Sequence, residues 1–221
     1  MARRKTLSRT TIADRTYDAL LEAICSGALP VGARLNQDEI AARLNVSRQP
    51  VNRAIAMLKA QHFLEDTGKR GVVVAALDPL LFRSIYELRT VIEPLSAQLA
   101  AAAITPAAMA RGRSLIAQGK ALTDGEDHAA ALRADMAFHD LLYTLAGNVL
   151  IAEAMRLNWR HLHRAMSEAL SRPGATGRIW IEHEAIFEAI CRGDADAAAR
   201  HMSTHMRDSF FRALPGNPPL A

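Results

Sequence analysis

Asp78-Pro79 divides this sequence into two parts of different character, and the division constrains the fold more than any other feature. Before it, helical patterns alternate with Gly- and Pro-containing turns and end in a strand-turn-strand pattern. After it, from Leu80 onward, apolar residues recur at helical spacing almost without interruption. Half of the residues are hydrophobic but only 5% are aromatic, and Ala and Leu dominate, which favours helices over a β-sandwich or barrel. A chain of 221 residues can bury a core in each of two small domains. The expected fold class is therefore mainly α, with residues 1–76 and 77–214 as separate domains and 215–221, PGNPPLA, as a disordered tail.

In the first part, Ile12, Ala19, Leu20, Ala23 and Ile24 place an apolar face on a helix over residues 10–26 that stops at Gly27. A turn follows, and Asn36 and Glu39 are spaced as an N-cap and its reciprocal partner for a second helix ending near Leu44. Asn45 tolerates a left-handed turn, Ser47 can N-cap, and Pro50 falls in the first turn of a third helix running to about Ala60. Its apolar face is Val51, Ala54, Ile55 and Leu58, which leaves Arg48, Gln49, Asn52 and Arg53 largely off that face. A helix, a tight turn and a helix with exposed polar residues at its start is the arrangement that enters a major groove. Phe63–Glu65 and Val72–Ala75 then read as a hairpin whose tip carries Lys69 and Arg70.

The second part is punctuated at Thr105-Pro106, at residues 123–127, at Gly147-Asn148 and at SRPGATG, predicting a bundle of about six helices. In its third helix RADMAFHDLLY sets Asp135 and His139 four residues apart, on one face and able to reach a common point. Such a pair alone is a weak signal, because an ordinary hydrogen-bonded couple has the same spacing.

Residues 1–76 carry 12 Lys and Arg against 7 Asp and Glu, whereas the remainder carries 15 against 16, so the net charge of +4 originates in the first part. That asymmetry points to a polyanionic partner there. Cys25 and Cys191 stand alone in helical patterns and read as reduced core residues. No apolar run approaches the roughly 20 residues that span a bilayer, and the expectation is a soluble cytoplasmic protein.

The motifs Gly27-x-Leu29-x-x-Gly32-x-x-Leu35, Val46-Ser47-Arg48-x-Pro50-Val51 and Gly68-x-x-Gly71-x-x-Val74 resemble the winged helix-turn-helix of GntR-superfamily transcription regulators. The helical remainder with its D-x-x-x-H resembles the FCD effector domain of the FadR subfamily. The resemblance implies a homodimer that binds double-stranded operator DNA with one winged domain per half-site, and a repressor, less often an activator, released by a small metabolite. It places Ser47, Arg48, Gln49, Asn52 and Arg53 at the DNA, with Lys69, Arg70 and Gly71 in the wing. Arg48 suits the two acceptors of guanine, Gln49 and Asn52 suit adenine, and Arg53, Lys69 and Arg70 suit phosphates. An Arg3-Arg4-Lys5 arm can add unspecific affinity. The chain departs from the pattern in Asn52-Arg53, where the family has PVREAL, and in Asn45 and His62, which replace glycines.

By the same resemblance, His183 and His205 join Asp135 and His139 as metal ligands, with His201 as the competing choice for the last of them; the 22-residue gap to His183 decides for His205. Imidazole with one carboxylate suits zinc or nickel, with manganese or cobalt as alternatives. Arg89 reads from its surroundings as a surface ion pair with Glu93 or Glu87, and from the resemblance as the holder of an effector carboxylate. His161 and His163 read as surface or pocket lining. A metal-dependent hydrolase is the competing class; no general-base partner accompanies the motif, and a hydrolase gives no reason for a basic helix-turn-helix.

Overall fold

A computed structural model of the chain describes residues 11–68, 71–123, 127–169 and 175–213. The expected tail, the Arg3-Arg4-Lys5 arm and the hairpin tip Lys69-Arg70 lie outside the described residues. The chain falls into two compact units, Met1–Ala76 and Leu77–Ala221.

The first unit holds α1 (Ile12–Cys25), β1 (Arg34–Leu35), α2 (Gln37–Leu44), α3 (Arg48–Ala60), β2 (Leu64–Asp66) and β3 (Val72–Val74). Helix α1 starts later than its apolar pattern suggests because Thr11 and Asp14 close a capping box around its first turn. Asn36 caps α2 by accepting from the Asp38 N–H, but Glu39 bonds the Asn36 side-chain amide rather than its backbone, so the reciprocal cap is not made. Asn45 ends α2 at φ 51°, as its tolerance of the left-handed region allows, and Ser47 stands at the N-cap position of α3 without a side-chain capping bond. His62 also takes a positive φ, of 61°, with a Cβ that makes this conformation costly. Leu20, Ile24, Val51, Ala54, Ile55, Leu58, Phe63 and Val74 are buried and form the core between α1, α3 and the sheet.

The sheet has three strands, not the two of the expected hairpin. β3 lies between β1 and β2, antiparallel to both, with Leu64 opposite Val74 and Arg34 opposite Val73. Two residues of β1 are too few to show a period of two, so this strand had no sequence signature.

The second unit is the helical bundle: α4 (Pro79–Ala102), α5 (Pro106–Ala121), α6 (His128–Ala146), α7 (Val149–Ala169), α8 (Ala175–Cys191) and α9 (Ala195–Ala213). Asp78 and Thr105 cap α4 and α5, each followed by Pro at the first helical position, where its missing N–H costs nothing. Gly147 ends α6 in the left-handed region, and Gly193 does the same in the turn between α8 and α9, after which Asp194 accepts from the Ala197 N–H. Helix α4 packs against α6, α7, α8 and α9 and so forms the axis of the bundle. Helix α5 lies close against α8 because Gly112 and Gly119 face aromatic rings: a Cβ at Gly112 would stand 1.9 Å from Phe187 and one at Gly119 2.0 Å from Trp180.

Two apolar clusters result. One gathers Phe138, Trp180, Ile186, Phe187, Ile190, Met202 and Met206; the other gathers Phe82, Tyr86, Tyr143, Met155, Trp159, Leu162 and Phe210. On α8, Ile181 is exposed, and the buried stripe includes His183, Ile186, Phe187 and Ile190. Cys25 and Cys191 form no disulfide and are only partly buried, Cys191 packing against the first of these clusters.

Candidate functional site

Buried polar side chains collect where the two clusters meet. His139 and Asp135 lie on α6, His183 on α8 and His205 on α9, and Arg89 and Glu93 on α4; all six are buried. Phe138 stacks on His183 with ring centroids 4.2 Å apart, and Trp159 lies 5.1 Å from His139, so one member of each apolar cluster walls the group. Four helices therefore deliver ionisable groups into a space closed by aromatic rings.

The three histidines each offer a ring nitrogen within 4.8 Å of the other two. His183 Nε2 and His205 Nε2 are 3.0 Å apart, and Asp135 Oδ1 lies 3.4 Å from His183 Nε2. Ligands of a tetrahedral zinc with bonds near 2.0–2.1 Å stand about 3.3 Å from each other, so these spacings suit a small cation. His139 Nε2 and His183 Nδ1 are buried without a hydrogen-bond partner, a costly arrangement for which a bound ion would compensate at His139. Burial, reinforced by the neighbouring His205, His139 and Arg89, pushes the His183 pKa well below the ordinary imidazole value. Burial also lowers His205, although its hydrogen bond to Glu182 works the other way. Neutral imidazoles carry the lone pairs that a metal takes. The donor set fits a divalent cation.

Carboxylates back two of these rings. His139 Nδ1 is 2.9 Å from Glu93 Oε2, and His205 Nδ1 is 2.7 Å from Glu182 Oε2. Glu93 accepts from Arg89 Nε at 3.0 Å and from the Tyr143 hydroxyl at 2.7 Å, and Trp159 Nε1 donates to that hydroxyl at 3.0 Å. Burial opposes ionisation of Glu93, but His139 and Arg89 beside it more than offset that and draw its pKa to about 2. At Glu182 half-burial is likewise outweighed, by hydrogen bonds from His205 and Arg212, and its pKa also falls to about 2. Arg212 grips Glu182 with both terminal nitrogens, at 2.8 and 2.7 Å.

Arg89 is not the surface ion pair that its flanking residues suggested. Its partner is Glu93, but both are buried, and the guanidinium lies 4.7 Å from the Trp159 ring centroid and 5.2 Å from that of Tyr86. His201 is exposed, whereas His205 is buried beside His183. His161 is buried rather than on the surface, and His163 is partly so, with its Nδ1 buried and without a partner. Sequence reasoning did not identify Glu182, Tyr143, Trp159 or Arg212, and it valued Glu93 only as an ion-pair partner. Tyr143 stands four residues after His139 and Arg212 seven after His205, helical spacings that went unused, whereas Glu182 meets His205 across 23 residues and Arg212 across 30.

In the first unit, α3 begins at Arg48, and Ser47, Arg48, Gln49, Asn52 and Arg53 are all exposed. Arg48 forms an ion pair with Asp38 of α2. Gly71 closes the hairpin, its carbonyl accepting from the Thr67 N–H at 2.9 Å. Among the described residues no helix is long and apolar enough to cross a membrane.

Comparison with known proteins assigns both units. Residues 12–74 match the profile of bacterial regulatory proteins of the gntR family, and residues 84–208 match the FCD domain. An uncharacterized HTH-type transcriptional regulator of Streptomyces ambofaciens is 30% identical over 88% of this chain and 81% of its own length. A probable D-xylose utilization operon transcriptional repressor of Paenarthrobacter nicotinovorans is 28% identical over 91% of this chain and 88% of its own. Among solved structures, E. coli McbR/YncC superposes with a TM-score of 0.76 at 17% identity, covering 91% of this chain and 96% of that one. A GntR transcriptional regulator from Rhodococcus sp. RHA1 does so with a TM-score of 0.76 at 24% identity, covering 93% and 99%. With a helix-turn-helix and three-stranded wing in one unit, an all-helical bundle in the other, and matches that span both, this chain belongs to the GntR family of bacterial transcription regulators, with an FCD domain as its second unit, and is not an enzyme.

Proposed function

We propose that this regulator is a homodimeric repressor whose FCD unit holds a divalent metal through Asp135, His139, His183 and His205, and that a small carboxylate bound there releases it from operator DNA. Zinc and nickel suit the donor set first, manganese and cobalt after them. The observation that carries the reading is the convergence of three buried histidines from three helices, with His139 Nε2 among the nitrogens left without a hydrogen-bond partner. The repressor sense draws support from the relative that bears that name. Residues 1–76 bind DNA in the cytoplasm, and residues 77–214 bind the effector and the second copy.

An effector acts by binding one arrangement of the dimer better than another. Its carboxylate would ligate the cation and would share the Arg89 guanidinium with Glu93, since Arg89 Nε and Nη2 already lie 3.0 Å from Glu93 Oε1. That commitment of Arg89 also supports a second reading, in which Glu93 is a built-in carboxylate and the metal is structural or is itself the signal. Thermal melting against a panel of small carboxylic acids, with metal-loaded and chelator-treated protein side by side, separates the two. A class of acids that raises the melting temperature of loaded protein alone supports the effector reading. A fall on chelation with no response to any acid leaves the second reading.

At the DNA, the exposed start of α3 enters the major groove, where Arg48 exchanges Asp38 for the N7 and O6 acceptors of a guanine. Gln49 and Asn52 read adjacent bases, Ser47, Arg53 and Gly71 lie against the backbone, and Lys69 and Arg70, outside the described residues, reach phosphates. Arg48→Ala is expected to weaken operator binding by about 1–3 kcal/mol and to relax preference at one base pair, read by fluorescence anisotropy over a set of single-base operator variants. Uniform affinity across that set for wild type and variant alike would remove Arg48 from recognition.

A further inference from the structure

We infer that Glu93 and Glu182 are positioning residues of the metal centre: two parallel relays, Arg89–Glu93–His139 and Arg212–Glu182–His205, hold each imidazole with its proton on Nδ1 and aim Nε2 at the same point. The inference rests on the reading of the histidines as metal ligands and extends it to the residues behind them.

An ionised carboxylate only accepts hydrogen bonds, so a ring nitrogen within hydrogen-bond distance of one must carry the proton. That holds for His139 Nδ1 against Glu93 and for His205 Nδ1 against Glu182. The other nitrogen then keeps its lone pair. His139 Nε2 is buried without a hydrogen-bond partner, and His205 Nε2 faces His183 Nε2 at 3.0 Å.

Each carboxylate is itself fixed, oxygen by oxygen. Glu93 Oε1 receives Arg89 Nε and the Tyr143 hydroxyl, which leaves Oε2 for His139. Glu182 Oε1 receives Arg212 Nη1, and Oε2 receives Arg212 Nη2 together with His205. In one relay the arginine and glutamate share α4 and hold a histidine of α6; in the other, arginine and histidine share α9 and hold a glutamate of α8. The same chemistry is thus assembled twice from different helices.

His183 differs. Its Nδ1 has no hydrogen-bond partner, and its ring is held by stacking on Phe138 and by the edge contact with Trp180 at 4.9 Å. The centre therefore has two arms whose Nδ1 a carboxylate holds and a third, His183, whose Nδ1 no carboxylate holds. Orienting carboxylates of this kind strengthen metal binding by fixing ring orientation and raising ligand basicity.

The test uses the full chain labelled with ¹⁵N-histidine. In metal-free wild type, long-range ¹H–¹⁵N correlations should show His139 and His205 as Nδ1–H tautomers. Glu182→Ala should abolish that preference at His205 and leave it at His139. Zinc affinity, measured by competition with a chromophoric chelator, should fall roughly 10–100-fold in Glu182→Ala and less in Glu182→Gln, which keeps an acceptor oxygen. The visible bands of bound cobalt should shift in the alanine variant. Glu182 is the residue to change because it is only half-buried, and unchanged melting of metal-free Glu182→Gln confirms the fold. His205 found as the Nε2–H tautomer in wild type, or Glu182→Ala binding zinc within twofold of wild type with an unaltered cobalt spectrum, overturns the proposal. Wild type that binds neither ion overturns the metal reading itself, and the tautomers, read without metal, still decide the relays.

Discussion

Replacing His205 with alanine is expected to lower zinc affinity by more than about 100-fold, since loss of a ligand should exceed the roughly 10–100-fold cost of losing a residue that only orients one. His201→Ala, four residues earlier on the same helix, should leave affinity unchanged. The physical difference is burial: His205 is 3% exposed and its Nε2 meets His183, whereas His201 faces solvent. An ion that binds only the folded state stabilises it by RT ln(1 + [L]/Kd), about 2.7 kcal/mol at a hundredfold excess over Kd. A zinc-dependent rise in melting temperature is therefore expected in wild type and in His201→Ala, and should vanish in His205→Ala. Chelator competition with metal analysis of the purified proteins measures the affinities directly. The reverse pattern, with His201→Ala losing the metal and His205→Ala keeping it, would exclude the ligand set proposed above.

The largest loss of fold stability is expected from Glu93→Ala. That change leaves Arg89, 2% exposed, without its counter-charge, and also strands the Tyr143 hydroxyl and His139 Nδ1. Removing one partner of a buried pair costs about 3–5 kcal/mol, because the remaining charge stays out of water uncompensated. The cost comes from what is left behind, so the double variant Arg89→Met with Glu93→Leu should be less destabilised than Glu93→Ala. Urea unfolding followed by tryptophan fluorescence reports on the right unit, since both tryptophans, Trp159 and Trp180, lie in the helical bundle. The two units need not unfold together, so the transition of this probe should be analysed for the bundle alone. A loss below about 1 kcal/mol for Glu93→Ala would mean that Arg89 finds another partner or that water reaches it.

The two results bear on function in different ways. His205→Ala tests whether the histidines form a centre; Glu93→Ala tests whether α4 is held to α6 through the same carboxylate that backs His139. If both hold, anything that draws Arg89 away from Glu93, an effector carboxylate included, would be felt at a metal ligand. That is the route by which a small anion in the bundle could alter the packing of the helix that forms its axis.

Much of the local architecture was already present in short-range chemistry. Asp78-Pro79, Thr105-Pro106 and Gly147 announce helix starts and stops because capping and backbone conformation are decided within a turn or two of chain. Asn45 ends α2 as its small polar side chain permits. The resemblance carried by Val46-Ser47-Arg48-x-Pro50-Val51 led to the family, and Asp135 and His139 share a face simply because they are four residues apart on a helix.

Other features were decided only when the chain folded back on itself. Strand β1 exists because β3 offers it an edge; two residues alone carry no pattern. The burial of Arg89 depends on Trp159, Tyr86 and Glu93 around it, and a helical repeat that predicts which face is apolar says nothing about a charge sunk within that face. That His205 is buried and His201 exposed rests on which side of α9 meets α8. Glu182 reaches His205 across 23 residues of chain, and Arg212 reaches Glu182 across 30. Sequence by itself determined the helices, the hairpin and their order, since those follow from interactions within a few residues, and its motifs led to the family; the tertiary structure alone decided which ionisable groups lost their water and faced one another, because desolvation and charge pairing depend on distance in space and not along the chain.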